Sequence, residues 1–417
     1  MLLSHKTVIK LNDNESNILG HLCYAADKLW NVCNYERRNY RELGMEKYPD
    51  WYYQKKAHKD DLWYKFLPSQ TAQEVCKKLD KAWKSYYALL KTKGIKNPNP
   101  PRFKQEPMEI TYMQNGIVHE KGDNKVRLSL PKKLKEYMRS EYGIEDNYLY
   151  LENQIFRETD IIKQIKLYPP ENKEAQVIVI YEVKDPLPLA ENGHYLSIDL
   201  GLHNLFTCYD SEGKAFIAGR KYLNIFYRYD KEIARIQSQW DKIQSSKGIR
   251  YPKSSMHLKK VYRKKKNSIN DYLHKMTRMI AEYCQTNAIS VVVIGDIRNI
   301  RKNSDLGHRV NQKLHSLPYS RIYEMLSYKL ALYGIQMIRE KESYTSQCSP
   351  YAPAVSKRYA DKKKRVKRGL YKDGMEVFKA DAAGSFNILR KYLAEHEKEI
   401  EVPVRGISDP TVIKAAV

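Results

Sequence analysis

The stretch His194-Tyr-Leu-Ser-Ile-Asp-Leu-Gly201 decides how this chain is read. It is short and apolar, and it closes on an acid followed by a glycine, the pattern of a buried strand that delivers Asp199 to the end of a sheet. Three further acids have similar settings. Asp296 ends Ser290-Val-Val-Val-Ile-Gly-Asp296, and Glu342 ends Ile335-Gln-Met-Ile-Arg-Glu-Lys-Glu342. Asp381 opens the helix-like Asp381-Ala-Ala-Gly-Ser-Phe-Asn-Ile-Leu-Arg390. Carboxylates at the carboxyl ends of neighbouring parallel strands converge on one crevice. In a basic chain such a crevice points to phosphodiester cleavage.

The chain is strongly basic: 417 residues hold 74 Lys and Arg against 49 Asp and Glu, a net charge of +25. That length suits roughly two or three domains. The charge predicts salt-dependent attraction to a polyanion through counterion release. An anionic membrane is the weaker candidate, because no polybasic segment adjoins an apolar anchor. No run approaches the roughly 18 apolar residues of a membrane span, and Met1–Lys10 lacks the regions of a secretory signal. Cys23, Cys33, Cys76, Cys208, Cys284 and Cys348 are scattered without a Cys-x-x-Cys pair. A disulfide framework is therefore not expected, and the expected location is the cytoplasm. Tyr outnumbers Phe by 34 to 8, which suits base stacking at a wet surface and also suits strands.

Thr7–Leu11 reads as a strand, followed by a helix with its stripe on Ile18, Leu22, Ala25, Leu29 and Val32. A second helix starts after Pro68, with Ser69 as its expected N-cap and a stripe on Ala72, Cys76, Leu79, Trp83, Tyr86 and Leu90. The breaker-rich Gly94–Pro101 closes this helical unit. Strands then dominate: 125–130, 162–168 and 176–181. The strand at 7–11 is expected to join them, making the helical unit an insertion. From residue 194 the pattern predicts strands at 195–199, 204–209 and 214–218. A charged helical stretch at 221–287, broken near 248–252, comes next. Strands at 290–295 and 335–341 flank a helix after Pro318 with its stripe on Ile322, Met325, Leu326 and Leu330. Three strands, then strand–helix–strand and a last helix, is the order of an RNase H-like domain. The fold class is α/β multidomain.

Several motifs together resemble the TnpB/OrfB family of IS200/IS605-type transposons, RNA-guided RuvC nucleases related to compact type V CRISPR effectors. Leu67-Pro-Ser-Gln-Thr-Ala-Gln73 and Pro100-Pro-Arg-Phe-Lys104 are similar to its N-terminal half. Ser197-Ile-Asp-Leu-Gly-Leu-His-Asn204, Val293-Ile-Gly-Asp-Ile297 and Asp381–Leu389 resemble its three RuvC motifs. Ser343-Tyr-Thr-Ser-Gln347 resembles the segment before its zinc ribbon. The resemblance implies a wedge β-barrel domain (1–11 and 102–190) with a helical recognition insert (12–101). It also implies a RuvC nuclease domain (191–347 and 378–417) interrupted at 348–377. Guide RNA and target double-stranded DNA are the implied partners, and two Mg²⁺ ions the implied cofactors.

Two ions about 4 Å apart need clustered carboxylates. The resemblance places Asp199 as the shared ligand, with Asp381 on the final helix, where N-capping alone could also account for an acid. The second acid departs from the family pattern: Gly295 stands where most members have Glu. Glu342 relocated from the adjacent strand, Asp296 next door, or Glu340 with the parity of Glu342 could replace it. Between Ser346 and Asp381 only Cys348 is a thiol. A structural zinc needs four ligands, so none is expected. Nucleic-acid contacts are expected from Arg102, Lys104, Tyr262, Arg263, Lys264, Lys265, Lys266, Arg298, Arg365, Lys367 and Arg368. His308 and His315 read as polar surface groups. The expected function is an RNA-guided DNA endonuclease. A compact type V CRISPR effector and a nuclease-inactive RNA-guided DNA-binding regulator are the alternatives. A DDE-type transposase also uses three acids on this fold, but the helical insert does not suggest one.

Overall fold

The computed structural model describes residues 1–92, 95–297, 317–367, 369–398 and 404–413. They divide into two compact units, Met1–Lys184 and Asp185–Val417. No helix among the described residues is long and apolar enough to cross a membrane.

The first unit opens with β1 (Leu2–Lys10), followed by α1 (Asp13–Arg38), α2 (Trp51–Ala57), α3 (Leu62–Lys65) and α4 (Ser69–Thr92). Asn12 starts α1 through a capping box: its Oδ1 accepts from the Glu15 N–H and the Glu15 carboxylate accepts from the Asn12 N–H, both at 2.8 Å. Four of the five expected stripe residues of α1 are buried, while Val32 is half-buried and Cys33 takes its place inside. Helix α4 begins at Ser69 itself, so Ser69 is not outside the helix as a cap. Its stripe is buried as far as Trp83, but Leu90 is 45% exposed.

The rest of this unit comprises β2 (Ile110–Met113), β3 (Ile117–His119), β4 (Lys125–Ser129), α5 (Lys132–Tyr142), β5 (Tyr148–Glu152), α6 (Gln154–Arg157), β6 (Ile161–Leu167) and β7 (Glu174–Glu182). The strands form a four-stranded sheet in the order β1-β7-β6-β2 and a three-stranded sheet β3-β4-β5. The expected pairing of the N-terminal strand with this region is present: β1 runs antiparallel to β7 from Leu2 to Lys10. Helix and sheet side chains share one core, with Leu22, Leu29, Cys76 and Leu79 joining Ile110, Ile165 and Val177.

The second unit is built on a six-stranded sheet, whose first strands are β8 (Tyr195–Asp199), β9 (Phe206–Asp210) and β10 (Ala215–Ala218). Helices α7 (Tyr222–Ser246) and α8 (Met256–Thr286) follow, then β11 (Val291–Asp296), α9 (Tyr319–Ala331) and β12 (Gln336–Lys341). A hairpin of β13 (Leu370–Asp373) and β14 (Glu376–Lys379) precedes α10 (Ala380–Glu395) and β15 (Thr411–Ile413). The sheet order is β12-β11-β8-β9-β10-β15, with β8, β11 and β12 parallel and β9 antiparallel to its neighbours.

Period-2 alternation sorts this sheet into two faces. Leu196, Ile198, Val292 and Ile294 pack with Leu273 and Met276 of α8 and with Ile322 and Leu326 of α9. Tyr195, Val291 and Val293 pack with Ala382, Ala383, Phe386 and Leu389 of α10. The parity of Asp199 therefore places it on the α10 face.

Candidate active site

Asp199 ends β8, and α10 is pressed tightly against that strand end. A Cβ added at Gly384 would stand 2.9 Å from Asp199 Oδ2, so only glycine allows this approach without a shift. Two buried serines fix the two elements together. Ser197 Oγ donates to the Ser385 carbonyl at 2.7 Å, and Ser385 Oγ donates back to the Ser197 carbonyl at 3.1 Å. The first turn of α10 thereby brings Asp381 towards Asp199. Asp381 is not the cap: Lys379 holds that position, and the Asp381 carboxylate accepts from Asn204 Nδ2 at 2.9 Å. Arg220 Nε in turn donates to Asn204 Oδ1 at 3.2 Å.

Parity separates the candidates for the second acid. On β11, Gly295 falls on the α10 face with Val291 and Val293, whereas Asp296 shares parity with the opposite face. On β12, Glu340 pairs in register with Gly295 but is taken up by α10, its carboxylate accepting from Lys391 Nζ at 3.0 Å. Strand β12 ends at Lys341, and the chain turns back with Thr345 Oγ1 donating to the Glu342 carbonyl at 3.0 Å. That turn lays the Glu342 side chain over Gly295. A Cβ at position 295 would lie only 1.8 Å from Glu342 Oε1. The carboxylate of Glu342 thus occupies the space that a side chain at 295 would fill.

The electrostatics follow from crowding three acids into a water-poor crevice. Burial pushes Asp199 well above the ordinary aspartate range, the charge of Asp381 pushes it further, and Arg365 opposes both. Glu342 is raised too, first by burial and then by Asp199 and Asp296. Its Oε1 is buried without a hydrogen-bond partner, which is costly for an acceptor unless something else satisfies it. Among the described residues no three His, Cys, Asp or Glu side chains close on a single point as one ion's ligands. The charge of Asp381 acts on Asp199, and those of Asp199 and Asp296 act on Glu342.

The segment after Glu342 is gathered by the same helix that carries Asp381. Asn387 Nδ2 donates to the carbonyls of Thr345 at 2.8 Å and Cys348 at 2.9 Å. Arg390 donates to the carbonyls of Pro350 at 2.9 Å and of Ala352. In the 348–377 segment, Asp373 accepts from Lys364 Nζ at 2.6 Å and from Ser349 Oγ. The reading of the sequence missed Asn204, Asn387 and Arg390 as supports. Asn204 lay inside the Ser197–Asn204 motif, but nothing in its spacing marks it as the partner of Asp381.

The expected basic contacts divide. Tyr262, Arg263, Lys264 and Lys266 of α8 are exposed. Lys265 is not a free contact: it bonds Asp230 on α7 and lies 3.7 Å from the centroid of Phe226, joining the two helices. Arg365 and Lys367 are exposed, and the charge of Arg365 reaches Asp199. In the first unit Arg102 is exposed and Lys104 half-buried. Arg298, Arg368, His308 and His315 lie outside the described residues.

Residues 178–301 match the OrfB_IS605 family, described as a probable transposase. Over these residues the chain is similar to the OrfB family. InsQ of Escherichia coli (strain K12), provisionally described as an RNA-guided DNA endonuclease, is 24% identical over 371 residues, which is 85% of this chain and 82% of InsQ. The Cas12f1 chain from a cryo-EM structure of a Cas12f1–sgRNA–target DNA complex aligns with a TM-score of 0.55 and 13% identity. That alignment covers 90% of this chain and 83% of the other, and it shows a shared mixed α/β fold. The OrfB match takes in Asp199, Gly295 and Asp296 but stops before Glu342 and Asp381. What is proposed for those two acids therefore rests on geometry.

Proposed function

We propose that this chain is an RNA-guided DNA endonuclease that cuts target DNA by metal-dependent phosphodiester hydrolysis in an RNase H-like, RuvC-type site. One observation carries the proposal: Glu342 Oε1, buried without a hydrogen-bond partner, lies over Gly295, where Glu342 feels the charge of Asp199, and Asp199 that of Asp381. Three acids forced together against their own repulsion fit a pair of divalent cations, which would relieve the repulsion and supply Oε1 with a partner.

In this reading Asp199, Glu342 and Asp381 hold two Mg²⁺ ions, with Asp199 shared. The ions would activate a water and stabilise the leaving oxygen of the phosphodiester. Asn204 orients the Asp381 carboxylate, and Asn387 fixes the turn that carries Glu342. Arg365 meets the charge of the scissile phosphate, while Tyr262, Arg263, Lys264 and Lys266 track the backbone of a guide–target duplex. The proposed division has a wedge β-barrel at 1–11 and 102–190, a recognition insert at 12–101, and the nuclease at 191–347 and 378–417. The pairing of β1 with β7, across the whole helical stretch, supports it. The partners named for the Cas12f1 complex and the activity named for InsQ agree with guide RNA and target DNA here.

The test is co-expression with flanking genomic DNA, sequencing of co-purified RNA and a Mg²⁺-dependent cleavage assay on a matching target library. Guided cutting that Asp199→Ala removes supports the endonuclease. Guided binding without cutting by the wild type would replace it with the regulator reading.

A further inference from the structure

Residues 101–108 form neither helix nor strand, yet α1 holds the backbone of Pro101, Arg102, Lys104 and Met108. The Pro101 carbonyl accepts from Asn34 Nδ2 at 3.0 Å and from Arg38 Nη2, and the Arg102 carbonyl accepts from Trp30 Nε1 at 3.1 Å. Lys104 exchanges two bonds with Asn31, its N–H donating to Oδ1 at 2.7 Å and its carbonyl accepting from Nδ2 at 2.9 Å. The Met108 N–H donates to the Cys23 carbonyl at 3.3 Å. From Asn34 and Arg38 at Pro101, through Trp30 and Asn31 at Arg102 and Lys104, to Cys23 at Met108, the partners move towards the start of α1, so the strip runs antiparallel to the helix. Fixing an extended segment costs conformational entropy, and burial of the strip offsets little of it, because Arg102, Phe103, Gln105, Glu106 and Pro107 are all exposed.

What this fixed backbone presents is chemically specific. The Phe103 ring is 43% exposed, and the Arg38 guanidinium lies over it at 4.8 Å from the centroid. Arg102 precedes Phe103 in the strip and lines the same groove, and Lys104 Nζ sits 4.8 Å from the centroid of Trp30. Arg38, Arg102, Phe103 and Lys104 line a groove of about 640 Å³, with Glu106, Glu109, Tyr168 and Pro169 also in its wall. That volume lies within the roughly 300–1,000 Å³ typical of small-ligand clefts. A rigid aromatic face beside guanidinium groups is suited to an unpaired base and its phosphate, through stacking and charge. Holding the ring in place beforehand removes an ordering cost from binding.

We propose that the 101–108 strip is a nucleotide-binding subsite, in which Phe103 stacks on one unpaired base and Arg38 and Arg102 hold its phosphate. The proposal rests on the nucleic-acid reading above. The same chemistry serves an unpaired nucleotide of guide RNA or of a DNA strand.

The experiment uses the whole chain and two probes, a 5-iodouridine RNA and a 5-iododeoxyuridine DNA, each of about 20 nucleotides, at about 0.15 M salt. Irradiation, digestion and mass spectrometry should find an adduct on Phe103. An adduct in the RNA arm alone names guide RNA as the source, and one in the DNA arm alone names a DNA strand. Phe103→Ala should weaken binding in that arm roughly tenfold and leave the salt slope unchanged, since no charge is lost. Phe103→Trp should restore the affinity. No adduct within 101–108 in either arm, or wild-type affinity for Phe103→Ala, overturns the subsite. Failure of the wild type to bind either probe overturns the nucleic-acid reading as well.

Discussion

In the crevice at the end of β8, Asp199 and Glu342 are raised above the ordinary carboxylate range, first by burial and then by neighbouring acids, Asp381 for Asp199 and Asp199 with Asp296 for Glu342. At the β13–β14 hairpin of the same unit, Asp373 is held below that range, chiefly by its hydrogen bond from Lys364 and also by Ser349. Both regions group acids with polar neighbours, yet one leaves its charge uncompensated and the other neutralises it within the chain. A fold gains nothing by itself from like charges in a poorly solvated crevice. The raised pair supports the cation site proposed above, and the lowered one fits a structural ion pair.

The strongest way to break that contrast is to remove acids one at a time. Asp199→Ala should cut guided cleavage by at least roughly 10²–10³-fold, as loss of a principal electrostatic group does, while RNA co-purification persists. Glu342→Ala should be nearly as severe, whereas Glu340→Gln should retain most activity because Glu340 is committed to Lys391. Full activity of Glu342→Ala combined with a dead Asp296→Ala would move the second ligand to Asp296.

A sharper test exploits Gly295. A methyl group there would collide with Glu342 Oε1, so Gly295→Ala should displace the carboxylate and resemble Glu342→Ala in a cleavage assay. The double change Gly295→Glu with Glu342→Ala restores an acid to the vacated space from the other strand. It should recover part of the activity that Glu342→Ala alone has lost. No recovery would mean that the turn carrying Glu342 matters for more than its carboxylate.

The crevice also predicts an unusual pH dependence of stability. Asp199 rises to about 7 and Glu342 to about 9 in the folded state. Unfolded, both return to about 4. Between these limits the folded state binds more protons than the unfolded one, so stability falls as pH rises. In chelator, Glu342→Gln should melt several degrees above the wild type at pH 8 and lose that advantage near pH 5. Added Mg²⁺ should stabilise the wild type at pH 8 and affect the variant less. Identical melting curves at both pH values would deny that the Glu342 charge is strained.

Strand and helix positions in the second unit were legible because burial imposes a period. The apolar runs at 195–199 and 290–295 and the stripe after Pro318 have little freedom to be anything else. The second acid was less legible. Parity alone could have set Asp296 aside, since it alternates with Val292 and Ile294 on the face covered by α8 and α9. It could not have separated Glu340 from Glu342, which share a face. That choice depends on where β12 ends and on Lys391, a residue 51 positions from Glu340. The supports Asn204 and Asn387 were equally hidden, because their partners are 177 and 42 residues away. Short helices such as α5, and the β13–β14 hairpin inside a basic run, carry too few periodic positions to stand out.

The smallest predicted effect lies in the hairpin and completes the comparison with the crevice. The Lys364 and Asp373 side chains are 38% and 22% exposed, so solvent screens their attraction, and its loss should cost only about 0.5–1 kcal/mol. The sign is opposite to that of the crevice. A carboxyl held below its unfolded value stabilises the fold at neutral pH, and this contribution is lost as pH falls through the lowered value, below about 4. Asp373→Asn should therefore speed amide exchange in residues 369–379 at pH 7, while the wild type loosens there only on acidification. Taking metal-free protein from pH 8 towards acid should tighten the crevice first and loosen the hairpin later. If both regions tighten, or both loosen, together, Asp373 and Glu342 are not held in opposite electrostatic states.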